Sequence, residues 1–225
     1  MTNHLVFENP DGVLLFEKLV GSGDLAELSK FTDLHLSKKP GYRLTDPSLG
    51  WLLDANGPIG RLARRIIGSA AQPIKSVLFN KTVSKNWITP WHQDRAVPMR
   101  EKKILQGYET WSEKEGVHHV EPPFRIIENM ITIKVLLDDC GPENGPIKIA
   151  AGSHHLGKLK ASEVAEAIEG RKQINLVGKA GDVWVHAGSS VHSSNRSQLT
   201  ENRRILHVDY SAEGLPDDLN WLSLA

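Results

Sequence analysis

The segment Trp91-His92-Gln93-Asp94 places an imidazole and a carboxylate two positions apart, directly after Thr89-Pro90. On a β-strand, residues i and i+2 project from the same face, so the two side chains would converge on one point. That is how a chain presents two metal ligands, although chance also produces such pairs. A third ligand must come from elsewhere, and position sorts the remaining histidines. His4 and His35 lie in a helical opening, His118-His119 in a long connection, and His154-His155 after a Gly152-Ser153 turn. His186, His192 and His207 lie in the last β region, where a closed antiparallel fold can return a strand end to the first pair. A single histidine is more often a surface or hydrogen-bonded core residue than a ligand, so only the combination carries weight.

Two imidazoles and one carboxylate on one face, with the other side open, form the facial triad of non-haem Fe(II) oxygenases. An enzyme of this kind that uses 2-oxoglutarate also needs a cation fixed away from the metal, to pair with the far carboxylate of the acid. Arginine suits that task because its planar fork meets a carboxylate through two hydrogen bonds. Arg203 heads the run Arg203 to Tyr210, eleven residues after His192, so a histidine-turn-arginine hairpin can carry both.

The elements that must hold these groups are legible in outline. Apolar Ile59, Leu62, Ala63, Ile66 and Ile67 recur at helical spacing, and Val13 to Val20 and Leu25 to Leu36 also read as helices. After Pro73 the texture changes to short β-branched runs: Ile74 to Lys81, Met130 to Leu137, Ile147 to Ala150, Gln173 to Val177, Asp182 to His186 and Arg203 to Tyr210. Asn144-Gly145 is a turn signal, and Ala161 to Gly170 reads as a short helix capped by Ser162. Residues 95–128 carry Pro98, Trp111, Pro122 and Pro123 with little period, which suggests a lid-like connection. The expectation is one domain over 1–225, with a helical part over about 1–72 and a β core over about 73–212.

Composition removes several classes. The chain has 225 residues, with 27 Lys plus Arg against 27 Asp plus Glu, so no global field attracts nucleic acid. The short basic runs at Arg61 to Arg65 and Arg100 to Lys103 read as solvated faces. The single cysteine, Cys140, excludes an internal disulfide framework and fits a reducing, cytoplasmic setting. Neither a secretory signal nor an 18-residue apolar span occurs, so no membrane association is expected. G-x-S-x-G and phosphate-loop patterns are missing.

WHQDR, Asn144-Gly-Pro-Ile-Lys148, Gly152-Ser-His154, Gly181-Asp182 and His192-Ser-Ser-Asn-Arg-Ser197 before Arg203-Arg204 together resemble the phytanoyl-CoA dioxygenase family of Fe(II)/2-oxoglutarate oxygenases. The resemblance runs from about Leu78 to Tyr210. It implies a double-stranded β-helix, a cupin-like jelly roll with flanking helices. It further implies that His92, Asp94 and His192 bind Fe(II) and that Arg203 binds 2-oxoglutarate, with Ser194 and Lys81 as further candidates for the same acid. The expected reaction consumes O2, releases succinate and CO2 and hydroxylates a small molecule. Ser193 stands where the family has Gly, so the segment after His192 is shaped differently and Arg204 competes with Arg203. Strand alternation lets only one of the two point inward. His186 is the rival for His192, ranked lower because it lies within a strand.

Trp87, Trp111, His118, His119 and Trp184 are candidate pocket walls, and Gln93 should point away from the metal to serve the sheet. Asp182 reads as a turn residue. Three other readings stand beside the hydroxylase: an oxygenase acting on a macromolecule, a cupin-like metal binder without turnover, which would have no use for Arg203, and a zinc hydrolase on the same three ligands.

Overall fold

The computed structural model describes residues 5–36, 39–216 and 219–224. In chain order, α1 (Leu5–Glu8) and β1 (Val13–Phe16) lead into α2 (Ser22–Leu36), β2 (Gly41–Arg43), α3 (Gly50–Leu53) and α4 (Pro58–Ile67). Next come β3 (Gln72–Lys81), β4 (Thr89–His92), the run β5 (Val97–Met99), β6 (Glu109–Lys114) and β7 (Val117–Glu121), and α5 (Phe124–Glu128). The rest comprises β8 (Ile131–Leu136), β9 (Ile147–Ala150), α6 (Val164–Ala167), β10 (Gln173–Asn175), β11 (Val183–Ala187), β12 (His192–Ser194) and β13 (Arg203–Ser211).

A six-stranded sheet in the order β1-β11-β8-β13-β3-β2 faces a four-stranded sheet in the order β10-β9-β12-β4, both antiparallel. This is a jelly roll, mostly β with helices on the outside of the larger sheet. The outer face of that sheet is apolar: Leu78, Ile131, Ile133, Val135, Val183, Val185, Leu206 and Val208 pack in one cluster with Leu28, Leu52, Leu53, Ile59, Leu62 and Ile66 of the helices. Every member of α4's apolar stripe is buried, at about 1.5–3 kcal/mol for each large aliphatic side chain. Pro58 starts α4 and Gly68 ends it. Gly60 has no substitute, since a Cβ there would lie 1.6 Å from the Asp54 carbonyl oxygen.

The inner face of the same sheet carries polar rows set by register, broken by one apolar row of Leu136, Ile205 and Phe79. Thr132, Asp209 and Lys75 lie side by side across β8, β13 and β3. Two residues along, Lys134, His207, Val77 and Arg43 form the next row and extend onto β2. Arg203 pairs with Lys81 at the far end. Because alternation along each strand sends neighbours to opposite faces, one set of strands serves both an apolar core and a polar interior.

Several expectations need correction. Val13 to Val20 is no helix; Val13–Phe16 is an edge strand on β11, because a four-residue apolar run has too little length to declare its period. With β2 it puts part of the N-terminal third into the main sheet. Residues 95–128 are no structureless lid: β5, β7 and β6 form a three-stranded sheet, followed by α5, with Val97, Met99, Val120, Ile126 and Ile127 in a separate apolar cluster. Its β6–β7 turn has Glu115 and Gly116 at φ 53° and 79°, the left-handed pair that a tight hairpin requires. The short helix over 164–167 starts from Glu163 without a side-chain cap, so Ser162 does not cap it. β12 and β13 belong to different sheets, so His192 and Arg203 lie on a crossover rather than on one hairpin. His4 lies outside the described residues.

Candidate metal centre

β4 ends at His92, and Asp94 follows just past the strand. His192 opens β12 and pairs directly with His92. One nitrogen of each histidine and one oxygen of Asp94 lie within 4.8 Å of one another. The rings of His92 and His192 are 4.3 Å apart, and His92 Nε2 is 3.6 Å from Asp94 Oδ1. Nδ1 of His92 donates to the Pro90 carbonyl at 2.8 Å, and Nδ1 of His192 donates to the Ser190 carbonyl at 3.1 Å. Each backbone acceptor fixes the proton on Nδ1, so Nε2 presents a lone pair. Burial pushes His192 down to about 3, which keeps that lone pair free at neutral pH. The donor set of two neutral imidazoles and one carboxylate, open on one side, fits a non-haem iron ion.

Asp94 is held from behind. Lys75 Nζ lies 3.1 Å from Asp94 Oδ2 and 3.0 Å from Asp209 Oδ2, and Asp209 Oδ1 accepts from His207 Nε2 and from Thr132 Oγ1, both at 2.7 Å. Lys134 Nζ lies 2.6 Å from His207 Nδ1. Burial would lower Lys75 and raise both carboxylates, but mutual attraction prevails: the lysine is raised and Asp94 and Asp209 are lowered. Asp94, His207 and Asp209 also cluster within the same limit, but Lys75 already occupies their shared side. His186 is buried beneath, its ring 5.6 Å from that of His192, and does not join the converging group.

The three convergent residues line a cavity of about 480 Å³ that also meets Lys75, Lys134, Ser194, Arg203 and His207. Arg203 is buried, its Nε has no partner, and burial lowers it to about 10. Arg204 turns outward, bonded to Asp138 through Nε and Nη2 at 2.6–3.2 Å and to Asp33 at 2.8 Å. Lys81 is buried beside Arg203, donates to Ser194 Oγ at 3.0 Å and to the Asn195 carbonyl, and has no acidic partner among the described residues. Burial, followed by the Arg203 charge, lowers it to about 7. Gly145 seats this end: a Cβ there would lie 2.7 Å from the Asn195 carbonyl oxygen.

Of the candidate walls, Trp87 lines the cavity, and Lys81 sits 5.2 Å from its ring centroid. Trp111, His118 and Trp184 do not. Trp111 packs against the apolar cluster beside the three-stranded sheet, and Trp184 is held by an indole N–H bond to the Val177 carbonyl. His118 alternates with His119 on β7, and it is His119 that faces the cavity. Gln93 lines the cavity as well, but its amide spans the carbonyls of Gly157 and Ser189 and accepts from Leu159 N, which secures the segment around residue 158. Asp182 accepts from the backbone of Lys18 and Lys179 as a turn residue does. Sequence reasoning missed Lys75, Lys134 and Asp209. Their signal was present as polar residues at alternate positions of β3, β8 and β13.

This arrangement defines a jelly roll with an open two-histidine, one-carboxylate centre. Residues 48–205 match the family described as Phytanoyl-CoA dioxygenase (PhyH), and the chain belongs to that family. It is 22% identical over 176 residues to the L-proline trans-4-hydroxylase of Streptomyces griseoviridis, covering 67% of this chain and 58% of that protein, so it spans under two thirds of that relative. Among solved structures, EctD from S. alaskensis superposes with a TM-score of 0.66 at 18% identity, covering 92% of this chain and 75% of that one. The epimerase SnoN, crystallised with Fe3+, alpha ketoglutarate and nogalamycin RO, superposes with a TM-score of 0.63 at 17% identity, covering 93% and 87%.

Proposed function

We propose that this chain is an Fe(II)- and 2-oxoglutarate-dependent dioxygenase that hydroxylates a small molecule. The observation that carries this reading is one cavity with His92, Asp94 and His192 converging in it and an unpaired, buried Arg203 lining it. His92, Asp94 and His192 would hold the iron through two Nε2 atoms and one carboxylate oxygen. Arg203 would take the far carboxylate of 2-oxoglutarate, with Ser194 and Lys81 beside it. When bound, iron with 2-oxoglutarate and O2 supplies an oxidation in which the keto acid becomes succinate and CO2 and one oxygen atom enters a C–H bond of the substrate.

The chain's own groups do the holding. The Pro90 and Ser190 carbonyls fix the imidazole tautomers, and Lys75 keeps Asp94 ionised with one oxygen turned toward His92. A buried arginine without an acceptor costs several kcal/mol, and a carboxylate in its fork would remove that cost. Family membership and a relative named as a proline hydroxylase support hydroxylation of a small molecule. A metal binder without turnover would have no use for Arg203. The balanced charge gives no support to a nucleic-acid substrate, and no described helix is long and apolar enough to cross a membrane. A reducing, cytoplasmic setting suits the one buried free thiol, Cys140.

Anaerobic addition of Fe(II) and 2-oxoglutarate should give a weak visible charge-transfer band, lost in Asp94→Ala. In air, succinate should form with consumption of O2. A protein that binds Fe(II) yet gives neither the band nor succinate would contradict the reading.

A further inference from the structure

The cavity carries more positive charge than the co-substrate accounts for. Lys75 is matched by Asp94 and Asp209, and Arg95 lies 3.9 Å from Glu121. Arg203 is reserved by the proposed function for 2-oxoglutarate. Lys134 is bonded to His207, which leaves Arg43, half-buried, and Lys114, solvent-exposed at the rim, as the lining cations whose side chains have no ion pair or hydrogen bond among the described residues. The Nε of Arg43 is buried without an acceptor. An exposed arginine satisfies itself with water, but one half-buried in a cavity wall awaits a ligand acceptor.

Register fixes where Arg43 stands. It pairs with Val77, which pairs with His207, and His207 Nε2 is 4.0 Å from Asp94 Oδ2. Arg43 therefore lies two strand spacings, roughly 10 Å, from the backbone beside the metal centre. Arg203 lies on β13 four residues before His207, roughly 13 Å along the strand, so the two guanidiniums serve different parts of the cavity. Above Arg43 the hairpin of β6 and β7 closes over. Thr110, Ser112 and Lys114 of β6, all solvent-exposed, edge the cavity mouth, and the buried His119 of β7 lines it more deeply. Burial, then the nearby charges of Arg43, Lys114 and Lys75, holds His119 neutral, consistent with an electropositive end.

Resting on the dioxygenase reading, we propose that the substrate is a small molecule bearing an oxyanion, bound by Arg43 and Lys114 so that a C–H bond a few atoms away lies over the metal. Thr110 and Ser112 offer hydroxyls to the same group. The cavity must also admit 2-oxoglutarate, which leaves space for a compound of amino-acid size rather than for a long chain. Arg43 and Lys114 are specificity residues in this account.

The test is succinate release over a panel of proteinogenic amino acids, short hydroxy acids and sugar phosphates. Each acid is run against its carboxamide and each phosphate against its unphosphorylated parent. Substrate entry is read independently from the electron paramagnetic resonance signal of the Fe(II)–2-oxoglutarate–nitric oxide complex. Anionic members should stimulate release and shift the signal while their neutral partners do not, and the arm that responds separates carboxylate from phosphate. Arg43→Gln should raise the KM of the responding compound roughly tenfold to a hundredfold, with Lys114→Gln smaller, and leave the 2-oxoglutarate charge-transfer band intact. The proposal is overturned if neutral partners work as well as the anions, if no anion in the panel responds, or if both variants keep the parent KM. Loss of the charge-transfer band in the parent protein would instead sink the dioxygenase reading beneath it.

Discussion

Lys75 and Lys81 lie on the same strand, six residues apart and therefore on the same face, Lys81 fully buried and Lys75 with 11% of its side chain exposed, yet their surroundings drive them in opposite directions. Lys75 sits between two carboxylates and is raised; Lys81 faces Arg203 without an acid and falls to about 7. One end of the cavity is thus an ion network already complete in the protein alone, and its product is a fixed Asp94. The other end is incomplete, two cations without a counter-charge, and a carboxylate ligand would finish it. Rigidity for the metal and affinity for the acid come from the same strand by a change of neighbours.

Breaking the complete end should have the largest effect. Lys75→Met leaves Asp94 and Asp209 without their cation, and removing one partner of a buried pair costs about 3–5 kcal/mol. Chemical denaturation should show that loss near neutral pH. The sign with pH follows from the lowered carboxylates: Asp209 contributes stability above its unfolded value near 4, and loses it as pH falls toward its lower folded value. The gap between parent and variant should therefore narrow in acid.

At the incomplete end, Arg203→Ala should weaken 2-oxoglutarate binding roughly tenfold to a hundredfold, by the loss of charge-assisted hydrogen bonds, with little loss of stability. Lys81→Met sharpens the contrast with Lys75. Between pH 7 and about 10.5 the unfolded chain holds a proton on Lys81 that the folded chain has lost, so parent stability rises with pH over that window. Titrating the unfolding free energy across it should show a rise that Lys81→Met flattens. Smallest is Arg204→Ala, which removes the outward bonds to Asp138 and Asp33, about 1 kcal/mol, and leaves 2-oxoglutarate affinity unchanged. If Arg204→Ala weakened 2-oxoglutarate and Arg203→Ala did not, the two roles would have to be exchanged.

Much of this was legible because short-range chemistry left a mark. The α4 stripe, the β-branched runs and the ordered motifs from WHQD to Arg203-Arg204 led to the jelly roll and to the three residues that converge. Arg203 against Arg204 stayed open, since alternation says that one points inward but not which. The ion network was invisible for a different reason. Polar residues at alternate strand positions ordinarily mark a solvated face, and only closure of the second sheet turns the face of Lys75, Lys134 and Asp209 into an interior. β1 and β5 were lost because strands of four and three residues have too little length to show a period, and β6 because its six residues are polar or charged apart from Trp111.

The central claim is that His92, Asp94 and His192 act together on one ferrous ion beside a 2-oxoglutarate held at Arg203. The most direct measurement is an anaerobic titration of Fe(II) and 2-oxoglutarate followed by visible absorption, in the parent protein and in His192→Ala. The expected result is a charge-transfer band that saturates at one iron and one 2-oxoglutarate per chain and vanishes in the variant. A band of equal strength in His192→Ala would contradict it, because the iron would then be bound without the residue that closes the site.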